Sequence, residues 1–273
     1  MRTLKNKTIF ITGGSRGIGK AIALRAARDG ANIIIAAKSD KPHAILPGTI
    51  YSAAEEIEQA GGRALPLKLD VRDDQAIIDA VNKAASHFNG LDILINNASA
   101  ITLENTLDVS MSKFDLMHSV NVRGTFSCSK ACLPYLLKSD NPHILNLSPP
   151  LNLDPVWFKD YLAYTMSKYG MSMCVLGMAA EFRSRGVAVN ALWPRTVIYT
   201  AAINMLGGAV KPDNCRNEEI MADAAHVILC RDSKTTSGNF FIDEDVLRTE
   251  GVRDFDHYAI KADQPLMKDL FLD

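Results

Sequence analysis

The stretch Thr8-Ile9-Phe10-Ile11-Thr12-Gly13-Gly14-Ser15-Arg16-Gly17-Ile18-Gly19-Lys20 decides how this 273-residue chain folds. Its first five residues are apolar or β-branched and predict a buried strand, and a helical pattern follows the glycines. Glycine lets the backbone approach a ligand closely, and a helix N-terminus offers free N–H groups and the positive end of its dipole. Strand, glycine turn and helix in this order predict a phosphate-binding turn, although glycines also form plain tight turns.

Short apolar runs alternate with helical patterns along the rest of the chain. Strands are predicted at about 8–12, 32–36, 64–69, 92–96, 143–147, 187–192 and 239–242, and helices at about 17–29, 52–60, 73–88, 112–138 and 160–185. Uninterrupted apolar strands separated by helices indicate a parallel sheet covered on both faces. Pro66 indicates a less central position for the third strand. We predict an α/β fold, a single doubly wound Rossmann-type domain over residues 1–273 with a seven-stranded parallel sheet and helices on both faces.

Composition argues against several classes of function. The net charge is −1 and charges of both signs are interspersed, so no stretch is typical of binding to nucleic acid or anionic lipid. The five cysteines include no Cys-x-x-Cys and the histidines have no ligand spacing, so no metal site is expected. The apolar run near the N-terminus is too short for a signal peptide, and no span of a membrane is expected. We expect a soluble protein in a reducing compartment.

Charge near the glycine turn indicates which ligand it takes. We expect a dinucleotide bound by Gly13, Gly14, Ser15, Arg16, Gly17, Ile18 and Gly19. A carboxylate at the end of the second strand would bind ribose hydroxyls and repel a 2′-phosphate. The chain has Lys38 there, and Arg16 lies in the loop, so NADP(H) is favoured over NAD(H). Asp40 nearby weakens this argument, and both cations could be ordinary surface charges.

Tyr164 and Lys168 are four residues apart in a predicted helix and therefore lie on the same face. An ammonium beside a phenol favours the tyrosinate and lowers the pKa of the phenol. Such a phenol can give and take a proton near neutral pH, as the interconversion of a carbonyl and an alcohol requires. The alternative is a solvated lysine near a core tyrosine.

Taken together, these motifs resemble the short-chain dehydrogenase/reductase family over roughly residues 5–245. The resemblance is carried by Thr12-Gly13-x-x-x-Gly17-x-Gly19, Asn96-Asn97-Ala98 and Tyr164-x-x-x-Lys168. It implies that Ser148, at the end of the fifth strand, is the catalytic serine and that Asn121 completes a catalytic tetrad. It also implies that Asp70 contacts the adenine and that Asn97 lies near the nicotinamide ribose.

The resemblance also implies a role for each catalytic residue. Tyr164 is the general acid in ketone reduction and the general base in alcohol oxidation, and Lys168 lowers its pKa and binds the nicotinamide ribose. Ser148 donates a hydrogen bond to the substrate oxygen, and Asn121 unwinds its helix locally and holds a water that feeds protons to Lys168. The alternatives are a plain strand-end serine, an ordinary helical asparagine and, for Asp70, a helix cap. Thr196 or Thr200 is expected to bind the nicotinamide amide.

Three features depart from the family pattern. The interval from Ser148 to Tyr164 is 16 residues, a few more than usual, and Pro149-Pro150 stiffens the loop after the serine. Pro194-Arg195 stands where the family has Pro-Gly. The chain is also similar to a branch of the family in which a sterol-carrier domain follows the dehydrogenase. It ends at Asp273 without that domain or a C-terminal Ser-Lys-Leu address, so a cytoplasmic location is expected.

The helix that carries Tyr164 is apolar nearly all round, so both of its faces should be buried. Its apolar residues include Met166, Met171, Met173, Cys174, Leu176 and Met178. We expect a homodimer or homotetramer formed with helix 112–138, the alternative being cover by the chain's own loops. Residues 197–217, which contain Leu206-Gly207-Gly208-Ala209, predict a mobile substrate lid. Residues 244–273 are expected to form a tail packed on the body or on a neighbouring subunit.

The leading interpretation is an NADP(H)-dependent oxidoreductase that interconverts a secondary alcohol and a ketone, with lipid-like compounds among the candidate substrates. A non-catalytic NADP(H)-binding sensor or scaffold is the alternative, and a dehydratase or epimerase is a third, because fold alone does not fix function. Trp157, Phe158 and Trp193 could line an apolar pocket. The residues do not select one substrate.

Overall fold

The computed structural model describes residues 3–43, 46–205 and 210–273. Its strands are β1 (Thr8–Thr12), β2 (Asn32–Ala37), β3 (Arg63–Lys68), β4 (Ile93–Asn96), β5 (His143–Asn146), β6 (Ala188–Trp193) and β7 (Phe240–Ile242). All pair in parallel, in the order β3-β2-β1-β4-β5-β6-β7. The predicted seven-stranded parallel sheet is confirmed, and Pro66 lies in the edge strand β3.

Helices connect the strands. They are α1 (Gly17–Ala27), α2 (Ile50–Gln59), α3 (Asp74–Phe88), α4 (Met111–Met117), α5 (Gly124–Leu136), α6 (Leu162–Phe182), α7 (Ala201–Asn204), α8 (Glu219–Leu229) and α9 (Asp243–Thr249). A π-helical turn, His118–Arg123, joins α4 to α5, so the single helix predicted at 112–138 is interrupted. The sequence analysis missed α8 and α9. No described helix is long and apolar enough to cross a membrane.

Successive side chains of each strand point to opposite faces of the sheet. In β1, Ile9 and Ile11 belong to one apolar core and Phe10 to the other. Residues of α1, α2, α8 and α9 cover the first face, and residues of α3, α5 and α6 cover the second. Because both faces are buried, the central positions of β1, β2, β4 and β5 are apolar.

A third apolar cluster lies at that carboxyl edge and joins α6, β6 and the last residues of the chain. Its buried members are Met117, Ala163, Tyr164, Tyr169, Trp193 and Phe271. The tail therefore packs on the body of the same chain through Phe271. Of the predicted lid, Leu206-Gly207-Gly208-Ala209 lie outside the described residues, and the described remainder contains α7 and a 3₁₀ turn, Pro212–Asn214.

Candidate active site

The glycine turn after β1 is held together from within. Gly13 and Gly17 have φ angles of +68° and +55°, which favour glycine. Asn97, just after β4, donates its side-chain amide to the carbonyl oxygens of Thr12 at 2.9 Å and Gly13 at 3.0 Å. A Cβ on Gly19 would lie 2.5 Å from that amide nitrogen. The resemblance implies that Asn97 lies near the nicotinamide ribose, which stays a prediction; in the structure its amide braces the loop.

Thr12 links the same loop to the neighbouring strand, a role that the sequence analysis missed. Its hydroxyl oxygen accepts hydrogen bonds from the backbone N–H groups of Asn97 and Ala98, both at 3.0 Å. The only sign of this role in the sequence is that a residue with a hydroxyl group, Thr12, ends the apolar strand β1, and in the structure Thr12 is buried. The first helical turn beyond the loop has no side-chain cap, so its N–H groups remain available to an anion. The rigid turn and these N–H groups fit a dinucleotide pyrophosphate.

Positive charge gathers beside this turn. The Arg16 guanidinium donates to the Ser39 hydroxyl at 2.8 Å and to the Gly48 carbonyl at 2.9 Å, so it stands at the end of β2. Lys38 is exposed and lies 3.5 Å from a carboxylate oxygen of Asp70. Asp40, which weakened the charge argument, is paired with Lys68 at 2.9 Å, and that hydrogen bond lowers the pKa of its carboxyl.

Asp70 follows β3 and is bound by Arg72. The Arg72 Nε donates to both carboxylate oxygens at 3.0 Å. This hydrogen bonding, followed by the positive charge of Lys38, lowers the pKa of Asp70 to about 2. Asp73 rather than Asp70 caps α3, because its side chain accepts from the Ala76 N–H. The carboxylate of Asp70 therefore stays ionised at the rim of the predicted adenine site.

Tyr164 lies in the first turns of α6 with 5% of its surface exposed. Burial raises the pKa of its phenol, and the nearby negative charge of Asp269 adds to this. The expected lowering by Lys168 is not seen in this arrangement. The phenol is enclosed by the third apolar cluster, and this burial disfavours the charged tyrosinate.

Lys168 is buried one turn further along the same helix. Its ammonium donates to the Leu147 carbonyl oxygen at 2.6 Å and lies 5.0 Å from the centroid of the Trp193 indole ring. Burial lowers the pKa of Lys168 to about 7, and Asp269 opposes that shift. The ammonium is thus fixed at the end of β5, next to the residue that precedes Ser148.

Ser148 is fully buried, and its hydroxyl has no hydrogen-bond partner among the described residues. The proline loop after it is anchored, because the Ser172 hydroxyl on α6 donates to the Pro149 carbonyl at 2.6 Å. The stiff loop therefore holds the serine in place against α6. An orphaned buried hydroxyl is costly unless a ligand uses it, so this position fits a binding group.

Asn121 lies in the π-helical turn and is fully buried. Its side-chain oxygen accepts from the Ala100 N–H at 2.7 Å, and its amide donates to the Ala100 carbonyl and to the Ser167 hydroxyl, both at 2.9 Å. The widened turn is the local irregularity that the resemblance implied, and such turns often occur at functional sites. Ser167 is its side-chain partner on α6, and the predicted water between Asn121 and Lys168 stays a prediction.

Two threonines follow β6, and they differ in what they bind. The Thr200 side chain caps α7 by accepting from the Ile203 N–H. The Thr196 hydroxyl is buried without a partner among the described residues. Of the two, Thr196 has the hydroxyl that a ligand could use.

The tail brings two residues to the site that the sequence analysis did not select. The negative charge of Asp269 adds to the raised pKa of Tyr164 and opposes the burial that lowers the pKa of Lys168, and burial raises the pKa of Asp269 itself to about 7. Phe271 packs its ring on Tyr164 with a centroid distance of 6.3 Å. About a hundred residues separate them from Tyr164 along the chain, and no local pattern announces that contact. Within the described residues no cluster of His, Cys, Asp or Glu could hold a metal ion.

Comparison with known proteins identifies the family. A sequence model of the short chain dehydrogenases matches residues 7–206. The chain belongs to the short-chain dehydrogenase family. Hydroxysteroid dehydrogenase-like protein 2 of Danio rerio is 63% identical over 97% of this chain and 64% of its own length, and that of Rattus norvegicus is 63% identical over 97% and 50%. This short-chain dehydrogenase thus spans between half and about two thirds of the length of these relatives.

Solved structures agree with this assignment. A protein from Xanthomonas campestris is 55% identical with a TM-score of 0.97, over 99% of both chains. A short chain dehydrogenase from Mycobacterium thermoresistibile is 50% identical with a TM-score of 0.94, over 99% of this chain and 96% of its own. Both likenesses agree with membership of the short-chain dehydrogenase family, a family of oxidoreductases that bind nicotinamide cofactors.

Replacing Asp269 with Asn should remove part of the fall in the free energy of unfolding as pH rises. The folded pKa of Asp269 is about 7 against an ordinary 3.8, so ionising the carboxyl destabilises the fold as pH rises from about 4 to about 7. We expect Asp269→Asn to match the wild type near pH 4 and to be more stable above pH 7. Urea unfolding across this range measures the difference. Asp140→Asn, which removes an exposed carboxylate, is the control for the substitution itself. An Asp269→Asn variant without a gain at pH 8 would contradict this account.

Proposed function

We propose that this chain is an NADP(H)-dependent oxidoreductase that interconverts a secondary alcohol and a ketone. The observation that carries the proposal is the orphaned, buried hydroxyl of Ser148, next in the chain to the carbonyl that binds the Lys168 ammonium. Tyr164 lies one helical turn from Lys168 on α6. A phenol, an ammonium and a free hydroxyl at the carboxyl edge of a parallel sheet are suited to a carbonyl group.

Each residue has a distinct task in this proposal. In reduction, Tyr164 gives its proton to the substrate oxygen as negative charge grows there, and in oxidation it takes that proton back. Ser148 donates a hydrogen bond to the same oxygen and stabilises the charge. The ammonium of Lys168 stabilises the tyrosinate that remains after proton transfer. When bound, the nicotinamide supplies or accepts the hydride.

The cofactor would be held by groups that are free or pre-ordered. The N–H groups after Gly13 and at the start of α1 suit the pyrophosphate. The family resemblance assigns Asp70 to the adenine and Lys168 to the nicotinamide ribose. Thr196, whose hydroxyl lacks a partner among the described residues, suits the nicotinamide amide. Arg16 and Lys38 suit a 2′-phosphate, because Lys68 neutralises the nearby carboxylate of Asp40.

An apolar substrate is part of this proposal. Trp157, Tyr169 and Trp193 surround the position next to Tyr164 with aromatic surface. The names of the curated relatives, hydroxysteroid dehydrogenase-like proteins, support an apolar alcohol or ketone.

We also propose that the chain forms a homodimer or homotetramer through α5 and α6. Met171 and Met178 are buried against the sheet, whereas Met166, Met173 and Leu176 remain exposed on the other side of α6. Phe126, on α5, is exposed as well. The described loops of the chain do not cover this apolar face, and a symmetric partner offering the same face would.

Replacing Tyr164 with Phe should lower turnover by about a hundredfold or more, because only the transferable proton is lost. NADPH absorbance measured against a panel of ketones, from small to polycyclic, tests this. NADPH affinity, measured by fluorescence titration, should stay unchanged. Tyr135→Phe is the control, since the hydroxyl of Tyr135 donates to Asn82 at the surface. Wild-type activity that survives in Tyr164→Phe would refute the mechanism, and a wild type that binds NADPH but turns over no ketone would favour the sensor.

Replacing Lys38 with Gln should weaken NADPH binding about tenfold and change NADH binding by less than about twofold. One charge-assisted hydrogen bond to phosphate contributes roughly 1.5 kcal/mol or more, and about 1.4 kcal/mol corresponds to a factor of ten. Calorimetric titration of both cofactors provides the measurement. Lys5→Gln, an exposed lysine at the opposite end of β1, is the matched control. An equal loss for both cofactors would show that Lys38 does not read the phosphate.

Replacing Met173 with Glu should shift the protein to a smaller species. Met173 is 60% exposed, so the change should not affect the folded monomer, but it would bury two carboxylates in a symmetric interface. Sedimentation velocity over a range of concentrations measures the assembly. Tyr51→Glu is the control, because Tyr51 is exposed on α2, at the other face of the sheet. The interface proposal fails if both variants sediment as the wild type does.

A further inference from the structure

The last residues of the chain close the candidate active site. The Phe271 ring lies among four aromatic side chains, with centroid distances of 5.3 Å to Tyr169, 5.8 Å to Trp193, 6.0 Å to Trp157 and 6.3 Å to Tyr164. Only 1% of its surface is exposed. An apolar ring therefore already fills the aromatic box beside the phenol.

This closed arrangement conflicts with the proposed reaction, on which the inference rests. A substrate oxygen must reach both Tyr164 and Ser148, yet Tyr164 is 5% exposed and Ser148 is fully buried. A group must therefore move before a substrate can bind. The strands and α6 are held by their ladders and by the buried core, so the tail is the candidate.

The contacts of the tail show where it can separate from the body. Up to Leu270 it is held by the backbone, since the Val197 N–H donates to Met267, the Asp269 N–H donates to Arg195, and the Trp193 indole N–H donates to the Leu270 carbonyl. After Leu270, the polar contact among the described residues is that of the Asn152 amide with the Asp273 carboxylate at 2.8 Å.

The backbone at Phe271 is also strained. Its φ angle is +71°, in the left-handed region that favours glycine. Such strain persists only where the surroundings impose it, and it favours a segment that changes conformation. Here the surroundings are the aromatic box itself, so the ring is held by the apolar contacts that a ligand would replace.

We propose that Phe271 is a built-in occupant of the substrate pocket, and that the substrate is an alcohol or ketone whose apolar ring takes the place of the Phe271 ring. The apolar ring of the substrate would bind in the space between Trp157, Tyr164, Tyr169 and Trp193. The Phe271 ring also shields the phenol from water, and this burial raises the pKa of Tyr164. Displacement of the ring therefore admits the substrate and relieves the phenol together.

The chain offers a direct spectroscopic test, because its two tryptophans, Trp157 and Trp193, both face Phe271. Quenching of tryptophan fluorescence by acrylamide, in protein without cofactor, reports how open the box is. We expect Phe271→Ala to raise the quenching constant about threefold. Decahydro-2-naphthol, a fused-ring alcohol, should restore the low value, whereas 2-propanol at the same concentration should not.

Kinetics complete the test. With NADP⁺, kcat/KM of Phe271→Ala for decahydro-2-naphthol should rise at least fivefold, because no ring has to be displaced. Phe255→Ala is the control, since Phe255 is equally buried but packs against Tyr258, away from the site. A similar rise of quenching in Phe255→Ala would attribute the effect to general loosening and overturn the proposal, as would a fall of kcat/KM in Phe271→Ala.

A second variant keeps the test valid if Phe271→Ala does not fold. Asn152→Ala removes the contact with Asp273 and leaves the aromatic core intact, so quenching should rise in the same direction. Unchanged quenching in Asn152→Ala and in a folded Phe271→Ala would overturn the proposal. The proposed oxidoreductase function can fail separately. If no variant oxidises any alcohol but the fused-ring alcohol still protects the tryptophans from quenching, the proposed pocket is supported and the proposed oxidoreductase function is refuted.

Discussion

The hydrogen bond from the buried Lys168 ammonium to the Leu147 carbonyl is the interaction on which the site depends. At 2.6 Å it joins the second turn of α6 to the residue that follows β5, and so ties the helix that carries Tyr164 to the segment that leads to Ser148. A buried ammonium is costly unless it is well bound, and here a carbonyl and the Trp193 ring share that task. Asn146 at the end of β5 also donates its side-chain amide to the Met171 carbonyl on α6, and the bond from Ser172 to the Pro149 carbonyl fixes the loop beyond the serine.

The departures from the family pattern have a common structural result. The long interval after Ser148 supplies Trp157, which packs on Phe271, and Asn152, which binds Asp273. Arg195, where the family has glycine, forms an ion pair with Asp245 and accepts the Asp269 N–H through its carbonyl. These features build the walls that enclose Tyr164, Lys168 and Ser148. They do not alter the positions of those three residues.

Much of the fold could be predicted from the sequence, and the reasons differ from element to element. The apolar strands could be read because parallel strands are buried on both faces, and the glycine turn because its residues are contiguous. The interruption at Asn121 could be predicted only through resemblance, since the π-helical turn depends on a bond to Ala100. The pKa direction of Tyr164 was wrong, because it depends on burial by Phe271, a residue more than a hundred positions away. The contacts through which Asn97 braces the loop could not be predicted, because no local pattern reveals them.

The manner in which the tail is attached has a consequence for how such a protein can diversify. Met267, Asp269 and Leu270 are joined to the body through backbone atoms, which every amino acid except proline at a donor position can provide. Mutations in their neighbours can thus reshape the enclosure without loosening its attachment. Substrate selectivity can therefore change through substitutions in a few residues of the tail. The residues of the sheet and the groups proposed to transfer a proton need not change with them.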